Sequence, residues 1–102
     1  MVGLASRQPI SSRVRAEIER ILRKNLSRYG FVRAEVEPGD DHDGDPAIFI
    51  DAEYVLSDDP VDVNTVIKTR SLLRDRLSSL GEERYPYLRN HFAENQKVLG
   101  ND

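Results

Sequence analysis

Residues 31–56 constrain the fold more than any other stretch, because two strand-like runs there flank an acidic loop. The runs, Phe31–Glu37 and Ala47–Leu56, are rich in β-branched and aromatic residues that alternate with polar ones, which is typical of half-buried strands. The nine residues between them, Pro38–Pro46, consist mainly of turn-forming Gly, Asp and Pro. We therefore predict an antiparallel hairpin with a long acidic tip.

An amphipathic helix is predicted before the hairpin, because apolar residues recur there at helical spacing. Ser11 or Ser12 can cap its first turn, and Gly30 can end it with a left-handed backbone. The apolar stripe comprises Val14, Ile18, Ile21, Leu22, Leu26 and Tyr29.

A second helix is predicted after the hairpin. Asp59 is expected to cap it and Pro60 to occupy its first position, and Gly81 marks its end. Arg70 falls in the middle of its apolar stripe and is expected to extend to solvent or to pair with a carboxylate. The stripe comprises Val63, Val66, Ile67, Leu73, Leu77 and Leu80.

This order of elements predicts an α+β fold, an α-β-β-α two-layer sandwich in which both helices cover one face of the hairpin. The covered face is expected to hold Val32, Val36, Ile48, Ile50 and Tyr54, and the open face Phe31, Arg33, Glu35, Glu37, Phe49, Asp51 and Glu53. A third strand is expected at an edge near residues 87–92, after Pro86, or from a second copy of the chain. Residues 93–99 can add a final helical turn or two. The chain is expected to form one domain, with residues 1–10 and 100–102 flexible.

Composition excludes some functional classes. The 102 residues contain no cysteine, so disulfides, thiolate chemistry and cysteine-bound zinc are excluded. No apolar stretch has the length of a signal-peptide core or of a membrane span, and we expect a cytoplasmic protein without a membrane partner.

Charge is segregated along the chain and indicates two candidate binding surfaces. Residues 1–33 have a balance of +6, residues 34–62 of −11 and residues 63–102 of +2, within a net charge of −3. The basic surface is the outer face of the first helix, with Arg13, Arg20, Arg23 and Lys24. The acidic surface is the open face of the hairpin, with Glu35, Glu37, Asp51 and Glu53.

The basic first helix, followed by a hairpin and a covering helix, resembles the arrangement in type II KH domains and in ribosome-binding factor A. The resemblance implies an RNA- or ribosome-associated factor that binds through the basic helix face, although the Gly-x-x-Gly loop of RNA-binding KH domains is absent. Against this hypothesis, Phe31 and Phe49 are expected to lie among four carboxylates, which would repel a nucleic acid backbone.

Metal and catalytic sites receive less support. Asp41, Asp43 and Asp45 are spaced like the first ligands of a calcium loop, but Pro46 and Ala52 occupy the positions that need glycine and glutamate, so a solvated tip is favoured. Asp51 and Glu53 form a carboxylate pair of the kind found in metal-dependent hydrolases. A ladder with Arg33 is the simpler interpretation.

Neither His42 nor His91 has a nucleophile near it in sequence. We therefore predict no enzyme activity, no catalytic or metal-binding residue and no cofactor. The favoured function is a protein-interaction or accessory module that covers a basic partner surface with its acidic face. Homodimerisation by edge-strand pairing is an open alternative, as are RNA binding and the hydrolase.

Overall fold

The computed structural model describes residues 8–100, which form two α-helices, one 3-10 turn and five strands. In chain order these are α1 (Ser12–Leu26), the 3-10 turn Ser27–Tyr29, β1 (Phe31–Asp40), β2 (Pro46–Tyr54), β3 (Val61–Asp62), α2 (Val63–Ser79), β4 (Tyr85–His91) and β5 (Val98–Leu99). Neither helix in this part of the chain combines the length and apolarity needed to cross a membrane. The flexibility predicted for residues 1–7, 101 and 102 lies outside the described residues.

A three-stranded mixed sheet with the order β1-β2-β4 is the centre of the fold. β1 pairs antiparallel with β2, and β4 pairs parallel with β2 after a crossover through α2. The strands β3 and β5 form a separate parallel pair. The predicted α+β fold with helices on one face is thus confirmed, and its third strand comes from β4 of the same chain.

The core lies between the helices and the sheet. All six stripe residues predicted before the hairpin are buried, and Ile48, Ile50 and Ala52 of β2 meet them with no exposed surface. Ser11 caps α1 by accepting a hydrogen bond from the amide of Val14 (3.1 Å), as predicted. Burial of these side chains stabilises the fold by roughly 25 cal/mol for each Å² of apolar surface removed from water.

A β-bulge changes which side chains of β1 enter the core. The register of β1 against β2 shifts between Phe31 and Arg33, so β1 contains one extra residue there. Phe31 is consequently buried and Val32 is 41% exposed, so their predicted faces were wrong.

The second helix begins later than predicted because of a tertiary contact. Asp62, not Asp59, caps α2 by accepting a hydrogen bond from the amide of Asn64 (3.0 Å). Val61 is fully buried and donates its amide to the carbonyl of Lys97 (2.7 Å), which keeps the preceding backbone extended. The same pairing makes residues 98–99 a short strand and not the helical turn proposed for this segment.

The buried face of α2 also differs from its predicted stripe. Thr69 occupies the central core position, where its hydroxyl donates to the carbonyl of Thr65 (2.7 Å), and Ile67 is 52% exposed. Arg70 is exposed and donates to the carbonyl of Leu88 on β4 (3.3 Å).

One carboxylate joins the two helices. The side chain of Glu17 on α1 is 14% exposed and pairs with Arg20 (2.6 Å) and with Arg76 of α2 (2.9 Å). The hydrogen bonds from Arg20 and Arg76 lower the pKa of Glu17 from its ordinary 4.5 to about 2.

The turn between α1 and β1 requires glycine at position 30. Gly30 has a φ of 94°, and a Cβ atom there would lie 1.9 Å from the carbonyl oxygen of Val55. The amide of Val55 also donates to the carbonyl of Gly30 (2.8 Å), so the two backbones cannot separate without losing this bond.

We expect Gly30→Ala to lower the free energy of unfolding by more than about 2 kcal/mol, because the left-handed backbone and a steric clash act together. Gly44→Ala is the matched control, since Gly44 has a φ of 84° and no atom within 4 Å of an added Cβ. The control should lose only about 1 kcal/mol. Urea denaturation followed by circular dichroism measures both values, and equal losses would contradict the role of the close approach.

We expect the stabilisation by Glu17 to be present above about pH 4.5 and to be lost as the pH falls towards about 2. The folded pKa is depressed, so acid protonates Glu17 in the unfolded chain first. The difference in unfolding free energy between the wild type and Glu17→Gln should therefore shrink between pH 6 and pH 2.5. Glu94→Gln controls for the loss of one exposed carboxylate. If the wild type exceeds Glu17→Gln in unfolding free energy by the same amount across this range, the ion pairs of Glu17 do not stabilise the fold.

Candidate functional site

The face of the sheet opposite the helices carries two zones of side chains, one charged and one aromatic. The register between strands determines which of these side chains are neighbours, because residues paired across strands point to the same face of the sheet. The charged zone comprises Arg33, Glu35, Glu37, Asp51, Glu53, Arg89 and His91, and the aromatic zone Phe49, Tyr85 and Tyr87.

In the charged zone, arginines from both outer strands pair with carboxylates of β2. The predicted ladder between Arg33 and Glu53 is confirmed, with a guanidinium–carboxylate distance of 3.1 Å. Asp51 accepts two hydrogen bonds from Arg89 (2.9 and 2.8 Å) and contacts the Nε2 atom of His91 (2.8 Å). The hydrogen bond from Arg89 is the main cause of the lowered pKa of Asp51, and that from His91 adds to it.

The predicted acidic surface is therefore a surface of mixed charge. Glu35 and Glu37 remain exposed and form no ion pair within residues 8–100, whereas Asp51 and Glu53 are half-buried and paired. One arginine from each outer strand reduces its negative charge, Arg33 of β1 and Arg89 of β4. The alternation of Tyr85, Tyr87, Arg89 and His91 with Pro86, Leu88 and Asn90 was the sequence signal that could have placed Arg89 on this face.

The aromatic zone lies at the hairpin end of the same face. The rings of Phe49 and Tyr87 are stacked with centroids 5.7 Å apart, and Tyr85 lies 4.8 Å from Tyr87. The guanidinium of Arg89 lies 4.8 Å from the Phe49 centroid. Gly39 lies beneath the Phe49 ring, where an added Cβ would approach to 2.9 Å. Tyr85 is 47% exposed, so the zone presents an aromatic ring to solvent.

The acidic hairpin tip is held in one conformation by Asp41. Its Oδ1 atom accepts from the amides of Asp43 and Asp45 (both 2.9 Å), and its Oδ2 atom accepts from the hydroxyl of Tyr87 (2.9 Å). The amide of Asp45 is the main cause of the lowered pKa of Asp41, and the bond to Asp41 raises the pKa of Tyr87. The tip is thus anchored to β4 and shorter than predicted, because β1 extends to Asp40.

A cleft of about 810 Å³ lies between this tip and the segment that joins α2 to β4. Carboxylates line it from both sides, and Tyr85 and Tyr87 supply aromatic walls. The acidic lining residues are Asp41, Asp43, Asp45, Glu82 and Glu83. One cation, Arg84, is also in the lining, but it pairs with Glu82 (2.9 Å), and both side chains are nearly buried. The other four carboxylates have no cationic partner among the lining residues, so the cleft is strongly negative.

The predicted basic face of α1 is partly neutralised. Arg20 pairs with Glu17 (2.6 Å) and Arg23 with Glu19 (2.7 Å), both on the same helix. Arg13 and Lys24 are exposed and form no ion pair within residues 8–100. The four cations therefore do not act as one uncompensated patch.

The two hypothetical metal sites differ in geometry. One oxygen each from Asp41, Asp43 and Asp45 lies within 4.8 Å of the others, but both oxygens of Asp41 already accept hydrogen bonds. Asp51 and Glu53 line one pocket with Glu35 and His91, but each pairs with an arginine on a different strand, and within residues 8–100 they belong to no cluster of three or more potential metal ligands.

The histidines are both exposed. His42 lies 3.5 Å from Asp43 at the hairpin tip, and His91 contacts Asp51. Neither of these histidine contacts involves a serine, threonine or tyrosine hydroxyl.

Comparisons of the chain with known protein families, with curated proteins and with solved structures find no match in any of the three.

Proposed function

We propose that this protein is a non-enzymatic interaction module that binds a basic segment of a partner protein in the cleft at its hairpin tip. One observation carries the proposal. Four carboxylates without cationic partners in the lining and two tyrosine rings meet in one cleft of about 810 Å³. The binding surface suggested by the sequence flanks the aromatic zone. Glu35 and Glu37, which form no ion pair within residues 8–100, add negative charge there, whereas Asp51 and Glu53 are paired with arginines.

Electrostatics supports a cationic ligand. Asp43, Asp45 and Glu83 are exposed at the cleft, so a Lys or Arg side chain of a partner can reach them without displacing a lysine or arginine of residues 8–100. Exposed pairs of this kind contribute roughly 0.2–1 kcal/mol each, and several together give both attraction and faster encounter.

The tyrosines support a cationic side chain in particular. A guanidinium or ammonium over an aromatic ring gains roughly 0.5–2 kcal/mol, more where water is excluded. Tyr85 is exposed and Tyr87 is held in place by Asp41 and by stacking on Phe49, so the rings form a preorganised wall. A preorganised surface loses less conformational entropy on binding.

The other features fit a binding role better than catalysis. In residues 8–100 the ion-paired carboxylates Asp51 and Glu53 face arginines, and both histidine contacts are to aspartates, so neither histidine is placed to activate a nucleophile. A cysteine-free chain suits the reducing cytoplasm, where we place the protein.

A second candidate function is the binding of single-stranded RNA on the open face. The stacked Phe49 and Tyr87 with Arg89 at 4.8 Å are the elements that stack and bind nucleobases elsewhere. The neighbouring carboxylates and the ion-paired arginines of α1 weigh against it, because RNA affinity rests on uncompensated positive charge.

We expect a fluorescein-labelled Arg/Lys decapeptide to bind the wild type at low ionic strength and to dissociate as salt is added, as measured by fluorescence anisotropy. The triple variant Asp43→Lys, Asp45→Lys, Glu83→Lys should bind at least about tenfold more weakly, because three attractions become repulsions. The control Asp58→Lys, Asp75→Lys, Glu94→Lys makes the same change of net charge at exposed positions outside the cleft and should bind nearly normally.

Tyr85 separates cation–aromatic contact from general charge attraction. Tyr85→Ala should weaken peptide binding severalfold, and Tyr85→Phe, which keeps the aromatic ring, should bind the peptide as the wild type does. If the cleft triple variant and its control triple variant weaken peptide binding equally, the cleft is not the binding site. A labelled uridine 12-mer that binds more tightly than the peptide would instead favour the RNA function.

A further inference from the structure

The edges of the central sheet are protected by side chains from the helices. An open three-stranded sheet has two edge strands, here β1 and β4, and each can present unpaired backbone groups to another strand. Such edges are templates for pairing between copies of a chain, and β1 is long enough, at ten residues, to form a substantial ladder.

On the β1 edge, two arginines of α1 donate hydrogen bonds to backbone carbonyls. Arg15 donates from Nη1 to the carbonyl of Val36 (2.9 Å), and Arg23 donates from Nη2 to the carbonyl of Val32 (3.3 Å). These carbonyls accept from helix side chains, so they face away from β2. Alternate residues of a strand direct their backbone groups to the same side, so Pro38 also faces outward, where it offers no N–H donor.

The Arg23 side chain is fixed in this position by further contacts. It donates to Glu19 at 2.7 Å and lies 5.6 Å from the centroid of the Phe31 ring. Arg15 is likewise held by a hydrogen bond from Nε to the carbonyl of Ile10 (3.3 Å). Both arginines are therefore ordered over the edge.

The β4 edge shows the same arrangement with different residues. Arg70 of α2 donates to the carbonyl of Leu88 (3.3 Å), and Pro86 lies two residues earlier on the same side of the strand. Each edge thus combines a proline with at least one arginine from the helix layer. The exposed Val32 beside Arg23 is the kind of apolar edge residue that makes such protection necessary.

We infer that the β1 edge is a latent docking surface for a second copy of this chain, which Arg15 and Arg23 keep closed. Removing their hydrogen bonds would expose the carbonyls of Val32 and Val36 to the amides of an identical strand. Two β1 strands could then pair antiparallel over residues 32–36, which precede Pro38, and join two three-stranded sheets into one of six strands. The inference is independent of the proposed basic partner, because it concerns an edge and not the cleft.

The test is the solution mass of full-length variants, measured by size-exclusion chromatography with light scattering over a hundredfold range of concentration. The wild type should have the mass of one chain throughout, and Arg15→Ala with Arg23→Ala should shift to the mass of two chains as concentration rises. Arg13→Ala with Lys24→Ala removes the same charge from the same helix, without these contacts to β1, and should remain a monomer.

Two further variants separate hydrogen bonding from charge and packing. Arg15→Lys with Arg23→Lys keeps the donors and should stay monomeric. Arg15→Met with Arg23→Met keeps the apolar stems but cannot donate hydrogen bonds, so it should dimerise. This variant tests whether loss of the hydrogen bonds opens the β1 edge even if the alanine pair does not fold. Amide hydrogen exchange should show new protection of the outward-facing amides within residues 32–36 in the dimers. A folded methionine pair that remains monomeric, or a wild type that dimerises through residues 32–36, would overturn the inference.

Discussion

The parallel pairing of β4 with β2 is the interaction on which the rest of the structure depends. It converts a two-stranded hairpin, which is marginal alone, into a three-stranded sheet with β2 in its centre. Ile50 pairs with Val36 on one side and with Leu88 on the other, and all three contribute to the core or pack against it. The parallel direction requires a crossover, which α2 supplies while covering the sheet.

The same pairing determines the chemistry of the open face. Arg89 and His91 lie beside Asp51 only because β4 is in register with β2, and the guanidinium of Arg89 neutralises part of a surface that the hairpin alone would leave more acidic. Uncompensated negative charge is consequently concentrated at the hairpin tip, where Asp41 binds Tyr87 and fixes the acidic loop against β4. A charged tip that is also rigid and bordered by aromatic rings is better suited to recognition than a mobile loop of equal charge.

Sequence reasoning predicted the features that depend on local periodicity. The burial of Ile18 and Leu22, the hairpin and the cap at Ser11 follow from patterns within a few residues of one another. The errors arose where distant contacts override local preference. Asp59 with Pro60 is a good helix start, yet burial of Val61 against the backbone of Lys97 moves the cap to Asp62.

The functional surface was harder to predict for a related reason. The bulge at Phe31–Arg33 arises from pairing and cannot be found from alternation alone, so the faces of Phe31 and Val32 were exchanged. The acidic residues of the hairpin were identified, but the partners of Asp41 and Asp51 come from β4, 38 to 46 residues further along the chain, as do the tyrosines of the cleft. Only the alternation within residues 85–91 pointed to them, and Pro86 obscured it.

Nuclear Overhauser contacts in isotope-labelled protein test this account most directly. We expect contacts between the ring protons of Phe49 and Tyr87, contacts between the backbones of Ile50 and Leu88, and slow amide exchange for the β4 residues whose backbones face β2. Free amide exchange throughout residues 85–91, together with the absence of any contact from them to β2, would contradict it.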